Sequence, residues 1–469
     1  DLHPRVRRQR QMCIRDRDKA GNQSSYYYVY YDNVVPTGTI KGTSGTLSSG
    51  SYTNKAFSYS ATDSGSGINY LQYKKPGSST WTSYTSGTTI PATSTNGWYY
   101  FRAYDNAGNV SAESSVCLDT AVPTGTVYKE TTSVSSGSSV KGAYIKFIAT
   151  DSLSGVANCY VKAPGETSYK SYTSNSPLTT EGVYQFYIVD RAGNQSSTYS
   201  VALDNTAPTG MVYGGTTEKP SGSIVNSSYI KFIGSDNASG VSAMYVKKPG
   251  SSSFISYTSG TQFTADGKYE FYCVDGAGNQ SQTYNITLDR TKPVGTVYGG
   301  TQSMSSGAKT GAAYVKYTAT DALSGVSKCY VKKPGSNSFT AYTAGEQLAG
   351  DGTYEFYSVD IAGNESIHLT IMLDNTKPVG QIYGGTAKIE NGSHINAAYI
   401  RFEATDEMSG VAKLYVKMPG DKNYAAYNAM TQLTTEGQYS FYAEDEVGNE
   451  SNVYIVTLDR TAPVGTLSA

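Results

Sequence analysis

Apolar and polar residues alternate with a period of two along short segments of this chain, the pattern of half-buried β-strands. Comparing equivalent segments shows which face is buried. One segment has apolar residues at two alternate positions, first Leu71, Cys159, Met244, Cys329 and Leu414, and then Tyr73, Val161, Val246, Val331 and Val416. The residue after the second set is always lysine, at Lys74, Lys162, Lys247, Lys332 and Lys417. Because side chains of a strand point alternately to opposite faces, we predict an apolar face in a core and lysines in solvent.

A second recurring segment has the pattern Tyr-x-Phe. Its tyrosines are Tyr99, Tyr184, Tyr269, Tyr354 and Tyr439, and the phenylalanines two residues later are Phe101, Phe186, Phe271, Phe356 and Phe441. Aromatic side chains bury large areas, so this segment predicts the centre of a core. No segment shows the period of an amphipathic helix.

These segments belong to an internal repeat that a proline marks. The prolines are Pro36, Pro123, Pro208, Pro293, Pro378 and Pro463, separated by 87, 85, 85, 85 and 85 residues, and each follows an Asp by four positions. Solenoid repeats run about 20 to 47 residues and need neighbours to bury a core, whereas about 85 residues suit an autonomous small domain. The predicted organisation is a non-native head at 1–17, the end of a truncated repeat at 18–35, five repeats at 36–122, 123–207, 208–292, 293–377 and 378–462, and the start of a further repeat at 463–469.

Turn residues divide each repeat into short strands. In the third repeat these are Ser239-Gly240, Pro249-Gly250, Asp266-Gly267 and Ala277-Gly278-Asn279. They separate about seven predicted strands, the last three of which are a short TQFT, GKYEFYCVD and QTYNITLD. The predicted fold is all-β, a tandem array of about seven-stranded immunoglobulin-like or fibronectin-III-like β-sandwiches.

Two motifs link the repeats to a known family. Each repeat opens on a recognisable version of a DxTxP motif, such as Asp204 to Pro208, and closes on a version of a DxAGNxS motif, such as Asp275 to Ser281. The Tyr-x-Phe strand resembles the immunoglobulin tyrosine corner, with Phe where the second disulfide Cys stands. Over residues 18–469 the sequence therefore resembles the disulfide-free bacterial immunoglobulin-like repeats of large surface proteins, and this resemblance implies an extracellular location, at the cell surface or secreted, in a bacterium.

Composition and charge exclude several function classes. Six of the eleven Arg and two Asp lie in residues 1–17, which gives this segment a net charge of +4. Because the whole chain has a net charge of −1, residues 18–469 have a net charge of −5. The string QMCIRDR there resembles translated sequencing-adapter sequence, so we interpret residues 1–17 as a non-native head. A mildly acidic body lacks the electrostatic attraction on which nucleic-acid binding depends. No stretch approaches the roughly 20 apolar residues of a membrane span.

Candidate catalytic groups are few. The chain has three His, of which His368 and His394 lie in different repeats at positions where other repeats have unrelated residues. The pattern of the five Cys residues argues against disulfides and metal binding. Cys159 and Cys329 occupy the same strand position in different repeats, where other repeats have Leu or Met, which indicates small buried hydrophobes. We therefore predict that the chain is not an enzyme and has no catalytic or cofactor-binding residues.

Recurring Asp residues are the one group of side chains in the repeats that could form a binding site. Each repeat has one at the linker, one in a turn near Ser-Gly, and one before Ala-Gly-Asn. In the third and fourth repeats the candidates are Asp204, Asp236, Asp275, Asp289, Asp321 and Asp360. If the strand ends that carry them meet at one pole, their hard oxygens suit Ca²⁺, which would stiffen the junction. The alternative is that each Asp accepts backbone N–H bonds of its own turn and needs no ion.

The preferred functional hypothesis is a non-catalytic stalk that projects an adhesive or enzymatic domain from a bacterial surface. The DxTxP linkers are too short and too restricted by proline for free hinging. With about 3.3 Å per strand residue, five modules would form a monomeric rod of roughly 150 to 200 Å. The alternatives are that the modules bind host or cell-wall glycans or proteins through tyrosine-rich faces or Pro-Gly loops, or that they accompany a secreted polysaccharide hydrolase.

Overall fold

The computed structural model describes residues 10–465 of the chain, and every regular element in this range is a β-strand. Each of the five repeats contains one three-stranded and one five-stranded sheet. The chain is a tandem array of Ig-like sandwich domains, as the alternating pattern predicted. No helix suited to crossing a bilayer occurs among these residues.

The second repeat shows the arrangement. Its strands are β11 (Thr124–Lys129), β12 (Thr132–Val134), β13 (Ser138–Val140), β14 (Ile145–Thr150), β15 (Val156–Lys162), β16 (Lys170–Tyr172), β17 (Gly182–Asp190) and β18 (Tyr199–Leu203). The three-stranded sheet has the order β12-β11-β14, and the five-stranded sheet has the order β13-β18-β17-β15-β16. Neighbouring strands are antiparallel except β13 and β18, which are parallel. The order β18-β17-β15 corresponds to the G, F and C strands of the immunoglobulin fold.

The other repeats have the same eight elements. The chain begins with β1 (Arg10–Ile14) and β2 (Tyr27–Tyr31), which pair with each other. The first repeat has β3 (Thr37–Gly42), β4 (Gly45–Leu47), β5 (Ser51–Thr53), β6 (Phe57–Thr62), β7 (Ile68–Lys74), β8 (Thr82–Tyr84), β9 (Gly97–Asp105) and β10 (Ser114–Leu118). The third has β19 (Thr209–Gly214), β20 (Thr217–Lys219), β21 (Ser223–Val225), β22 (Ile230–Ser235), β23 (Val241–Lys247), β24 (Ile255–Tyr257), β25 (Gly267–Asp275) and β26 (Tyr284–Leu288). The fourth has β27 (Val294–Gly299), β28 (Gln302–Met304), β29 (Ala308–Thr310), β30 (Val315–Thr320), β31 (Val326–Lys332), β32 (Thr340–Tyr342), β33 (Gly352–Asp360) and β34 (Leu369–Leu373). The fifth has β35 (Val379–Gly384), β36 (Ala387–Ile389), β37 (Ser393–Ile395), β38 (Ile400–Thr405), β39 (Val411–Lys417), β40 (Ala425–Tyr427), β41 (Gly437–Asp445) and β42 (Tyr454–Leu458).

Contacts divide the chain into two units. The first comprises 1–209, 235–243 and 273–281, and the second comprises 210–234, 244–272 and 282–469. The first unit contains two whole repeats, and the second unit contains the fourth and fifth repeats. Part of the predicted head, residues 10–14, forms β1, while residues 1–9 lie outside the described residues. The predicted bounds of the repeats stay a prediction.

The number of strands per repeat differs from the sequence-based prediction. Eight are present where about seven were predicted, because two three-residue strands, β20 and β21 in the third repeat, follow the first strand. The predicted TQFT strand of that repeat forms only one isolated bridge, between Ile230 and Phe263. Strands of three residues rich in Ser and Thr give too few alternations to be recognised in a sequence.

The Tyr-x-Phe prediction is confirmed. Tyr184 and Phe186 of β17 are at most 1% exposed, and Phe186 stacks on Phe147 of the opposite sheet at a centroid distance of 4.6 Å. Gly125 lies beneath the Phe147 ring, where a Cβ atom would be 2.1 Å from the ring edge. The same glycine position faces Tyr59, Phe232, Tyr317 and Phe402 in the other repeats. Close approach of backbone to ring therefore requires glycine at this position.

The resemblance to the tyrosine corner extends to the hydrogen bond. The Tyr184 hydroxyl donates to the Thr180 carbonyl, four residues upstream, at 2.8 Å. The equivalent tyrosines Tyr99, Tyr269, Tyr354 and Tyr439 make the same bond. This contact closes the loop that enters the core strand while the ring stays buried.

Buried cysteines occupy the positions predicted for small hydrophobes. Cys117, Cys159, Cys273 and Cys329 are buried free thiols. Burial raises the pKa of Cys159 and of Cys117 to about 11, so both are neutral thiols at physiological pH.

A second buried tyrosine makes the fold sensitive to alkali. The Tyr342 hydroxyl accepts a bond from the Tyr317 N–H at 2.9 Å and donates to the Glu346 carbonyl. Burial raises the pKa of Tyr342 to about 12 from its ordinary value of 10.0. Because the folded state binds this proton more tightly than the unfolded state, the contribution is complete below pH 10.0 and is lost as pH rises through about 12.

We therefore expect Tyr342→Phe to lower the stability of the fourth repeat at neutral pH by about 1–3 kcal/mol, since the Tyr317 N–H loses its partner. The difference between variant and parent should shrink as pH approaches 12, because the parent loses its advantage. Denaturant unfolding followed by circular dichroism across this range measures it. A difference that stays constant with pH would contradict the assignment.

Candidate cation site at the repeat junctions

The three Asp residues predicted for each repeat converge at one end of its sandwich. In every group one carboxylate oxygen from each residue lies within 4.8 Å of the others. The groups are Asp32, Asp63 and Asp105; Asp119, Asp151 and Asp190; Asp204, Asp236 and Asp275; Asp289, Asp321 and Asp360; and Asp374, Asp406 and Asp445. The six candidates named from the sequence thus form two of five equivalent sites.

The first member of each group is the junction Asp. In the fourth repeat it is Asp289, which directly follows β26 of the preceding repeat and is fully buried. One of its oxygens accepts the N–H of Thr291 at 3.0 Å, and the other accepts the N–H of Ser324 at 3.1 Å. The carboxylate therefore fixes the linker with one oxygen and binds the next repeat with the other.

The second member is the turn Asp, which follows the strand β30 in the fourth repeat. Asp321 Oδ1 accepts the N–H groups of Leu323, Ser324 and Gly325 at 3.1, 2.8 and 2.8 Å. Burial raises the pKa of Asp321, but the backbone hydrogen bonds outweigh it and hold this pKa below its ordinary value. The carboxylate is thus ionised at neutral pH, and its turn bonds use one oxygen.

The third member ends the core strand β33. Asp360 is 2% exposed, and its two oxygens accept the backbone N–H and the side-chain Nδ2 of Asn364, both at 2.8 Å. Asn364 Nδ2 also donates to the carbonyl of Asp289 at 2.9 Å. The equivalent bonds at the other junctions run from Asn109 to Asp32, Asn194 to Asp119, Asn279 to Asp204 and Asn449 to Asp374.

Sequence reasoning missed this asparagine contact. The Ala-Gly-Asn motif predicts a tight turn, and the turn is present. Its Asn also reaches the junction backbone across 75 residues of sequence in the fourth repeat. The sequence does contain a signal for this contact: the Asn is the same in all five repeats, whereas the residue directly after the strand-end Asp varies. A turn alone does not require asparagine at that position, so its invariance indicates a further role.

The geometry fits both interpretations of the Asp residues. Their turn and linker bonds are the ones that Asp commonly makes, as the turn interpretation predicts. The turn Asp residues nonetheless use one oxygen, and in the first repeat the other oxygen, Asp63 Oδ1, is buried with no hydrogen-bond partner among the described residues. A buried carboxylate oxygen beside two further carboxylates is costly unless a cation or proton compensates it. The donor set consists of hard oxygens, which suits Ca²⁺.

Comparison with known proteins finds only distant likenesses to solved structures. No family model and no curated protein matches the chain. Similar solved structures include Escherichia coli alpha-2-macroglobulin activated by porcine elastase, with 9% identity, a TM-score of 0.15, and coverage of 90% of this chain and 53% of the other. The chain thus spans about half the length of that protein. The N-terminal eight Ig domains of Down Syndrome Cell Adhesion Molecule have 10% identity, a TM-score of 0.16 and coverage of 96% and 85%. The bacterial integrin-binding protein invasin has 12% identity, a TM-score of 0.16 and coverage of 90% and 79%. These TM-scores carry no argument, so the assignment rests on the strand order.

We expect Asn364→Ala to loosen the third junction between complete repeats. The change removes the side-chain Nδ2 donor of Asn364, so the carbonyl of Asp289 and one oxygen of Asp360 lose their hydrogen bonds. We expect this loss to destabilise the junction by about 1–3 kcal/mol. Hydrogen exchange of residues 321–325 and 360–364 should accelerate. The matched control is Asn337→Ala, an exposed asparagine of the same repeat. Equal exchange in both variants would show that the Asn364 contact does not hold the junction.

Proposed function

We propose that this chain is a segment of a non-catalytic extracellular stalk, built from bacterial immunoglobulin-like modules, that projects an adhesive or enzymatic domain from a bacterial surface. One observation carries the proposal: the junction Asp ends one repeat and is at the same time a buried member of the next repeat's Asp group. Its carboxylate and its carbonyl are both bound by that next repeat. A linker held in this way supports a spacer rather than a flexible tether.

We also propose that each Asp group binds one Ca²⁺ and that the ion stiffens its junction. The junction Asp, the turn Asp and the strand-end Asp would hold the ion through the oxygens that face one another within 4.8 Å. The proposal is supported by the ionised state of Asp321 and by the unpartnered oxygen of Asp63. Because the three residues come from both sides of the linker, a bound cation would join consecutive repeats.

Calcium titration tests this proposal. Ca²⁺ should raise the unfolding temperature of the chain and chelator should reverse the change, with a gain of about 2.7 kcal/mol per site at a hundredfold excess over Kd. Asp406→Asn should abolish the effect in the fifth repeat only, since the asparagine oxygen still accepts the turn bonds of Met408 and Gly410. The matched control is Asp421→Asn, an exposed Asp of the same repeat. No response of the parent to Ca²⁺ would leave the Asp residues as turn formers.

A second candidate function is glycan binding, and a repeated aromatic cluster favours it. On the outer face of the five-stranded sheet Tyr160 stacks on Tyr187 at 4.7 Å, and Tyr169 meets Tyr187 edge-on at 4.8 Å. The clusters of the following repeats are Tyr245, Tyr272 and Phe254; Tyr330, Tyr357 and Phe339; and Tyr415, Tyr442 and Tyr424. A lysine lies near the third ring in three of them, as Lys162 does at 5.9 Å from the Tyr169 centroid. Such rings and polar groups can contact sugars.

Four simultaneous substitutions test this candidate. Changing Tyr169, Phe254, Phe339 and Tyr424 to Ala should weaken binding of a polysaccharide by at least about tenfold, since weak sites on one chain act together on a polymer. The matched control changes Tyr128, Tyr213, Tyr298 and Tyr383 to Ala, half-buried tyrosines on the other sheet. Affinity electrophoresis with soluble plant and bacterial polysaccharides measures the binding. If the parent binds none of them, or if both variants lose binding equally, the clusters only pack the sheet.

A further inference from the structure

A lysine crosses the junction between the fourth and fifth repeats, in addition to the Asp and Asn contacts of the linker. Lys309, in the middle of β29, donates to the carbonyl of Ser409 at 2.7 Å and to Glu446 at 2.6 Å. Ser409 and Glu446 lie in the two turns that carry the turn Asp and the strand-end Asp of the fifth repeat. The ammonium group therefore links a strand of one repeat to both Asp-bearing turns of the next.

Lys309 occupies a position that strand register defines in every repeat. It pairs with Met372 of the parallel strand β34. The residues in the same register are Tyr52, Ser139 and Ile224 in the first three repeats and His394 in the fifth. We call this the strand position.

Glu446 also occupies an equivalent position in each repeat, directly after the strand-end Asp. Its N–H donates to the carbonyl of Gly410 at 3.0 Å, and the equivalent N–H of Ile361 donates to Gly325 at 3.0 Å, so the backbone at this position is fixed. The equivalent residues are Asn106, Arg191, Gly276 and Ile361. We call this the turn position.

Contacts at other junctions place the same strand end against the same turn. At the second junction Ser139 Oγ lies 3.5 Å from where a Cβ of Gly276 would be. At the first, Asn54 Nδ2, two residues after the strand position, donates to Asn194 Oδ1 at 3.1 Å. At the third, Asn226 Nδ2 lies 3.7 Å from the Cβ position of Gly363. The strand end of one repeat thus lies beside the Asp-bearing turn of the next at each of these junctions, and the strand and turn positions themselves are in contact at the second and fourth junctions.

The residues at these facing positions are chemically matched. The pairs, strand position first, are Tyr52 with Arg191, Ser139 with Gly276, Ile224 with Ile361, and Lys309 with Glu446. They combine an aromatic ring with a guanidinium, two small residues, two aliphatic residues, and a cation with an anion. A shuffled pairing would be mismatched, since the turn of the second repeat would place Arg191 against Lys309.

We propose that each facing pair is a recognition contact by which a repeat selects its own neighbour. Tandem domains of similar sequence are prone to misassembly between the wrong copies. Specificity between similar partners needs a penalty for wrong pairs as well as a gain for the right one. The five repeats share core, turns and Asp groups, so these features cannot distinguish one neighbour from another. The facing pairs differ at every junction, so they can distinguish one neighbour from another. This inference goes beyond the stalk proposal and does not require calcium.

A charge reversal at the fourth junction tests the proposal on the full chain. Lys309→Glu and Glu446→Lys should each accelerate hydrogen exchange of residues 406–410 and 445–449 about two- to fivefold, the size expected for a partly exposed ion pair. The double variant should exchange more slowly than either single variant, because it re-creates the ion pair with its charges exchanged, although it does not regain the bond from residue 309 to the Ser409 carbonyl. The matched control is Arg460→Glu, which breaks the ion pair with Glu436 inside the fifth repeat and should leave both turns unchanged. Single variants without effect, or a double variant as fast as the singles, would overturn the proposal.

Transfer of the pair to another junction provides the second arm. Ile224→Lys with Ile361→Glu introduces the matched pair at the third junction, whereas Ile224→Lys with Ile361→Lys introduces a mismatch. The matched variant should keep parental exchange in residues 321–325 and 360–364, and the mismatched variant should exchange about two- to fivefold faster. Equal rates in the two variants would show that the facing positions do not recognise each other. The result is read without added Ca²⁺, so failure of the calcium proposal leaves this test intact.

Discussion

The Asp that begins the linker is fully buried at each junction between complete repeats, and its polar groups must find partners there. A buried carbonyl without a donor costs about 1–3 kcal/mol, so the fold has to supply one from the next repeat. The Asn of the Ala-Gly-Asn turn supplies it, as Asn279 does for Asp204 at 3.0 Å. The same Asn is oriented by the strand-end carboxylate, Asp275, at 2.8 Å. The linker geometry, the placement of the turn and the convergence of the three Asp residues all follow from this arrangement.

That convergence creates an electrostatic problem which hydrogen bonds solve only in part. Backbone N–H groups stabilise each carboxylate singly, and the lowered pKa of Asp321 is the result. They do not remove the repulsion that negative charges on three carboxylates within 4.8 Å of one another would create. A cation would remove it, and in the first repeat Asp63 offers a buried oxygen that has no other partner. Turn formation and cation binding are thus compatible roles, since the turn bonds use one oxygen of the turn Asp and leave the other.

The features predicted from the sequence are those with a local pattern. Period-two alternation identifies β15 and β17, and Tyr184 and Phe186 are buried as their spacing requires. The fixed spacing of Asp and Pro gives the repeat. Strands such as β13 were missed because three residues pair in parallel with β18, more than 60 positions away, and no local pattern reveals that pairing. The Asp residues were identified as a group, but the bond from Asn364 to Asp289 joins two repeats and is visible only in three dimensions.

Repetition itself constrains what the junction can encode. A core such as that around Phe186 and Phe147 must satisfy packing in every repeat, so its residues vary little and carry no information about order. The Asp and Asn residues are equally fixed, because each is held in its turn or at the linker by hydrogen bonds. Buried positions vary mostly among apolar residues, as between Leu71 and Cys159, whereas positions with partly exposed side chains and a fixed backbone are free to change in charge and polarity. The strand and turn positions are of this kind, as the half-exposed Glu446 shows at 51%. The residues that distinguish one junction from another therefore lie at positions that contribute little to the stability of a repeat. Differences at these positions can specify the order of the repeats without destabilising any of them.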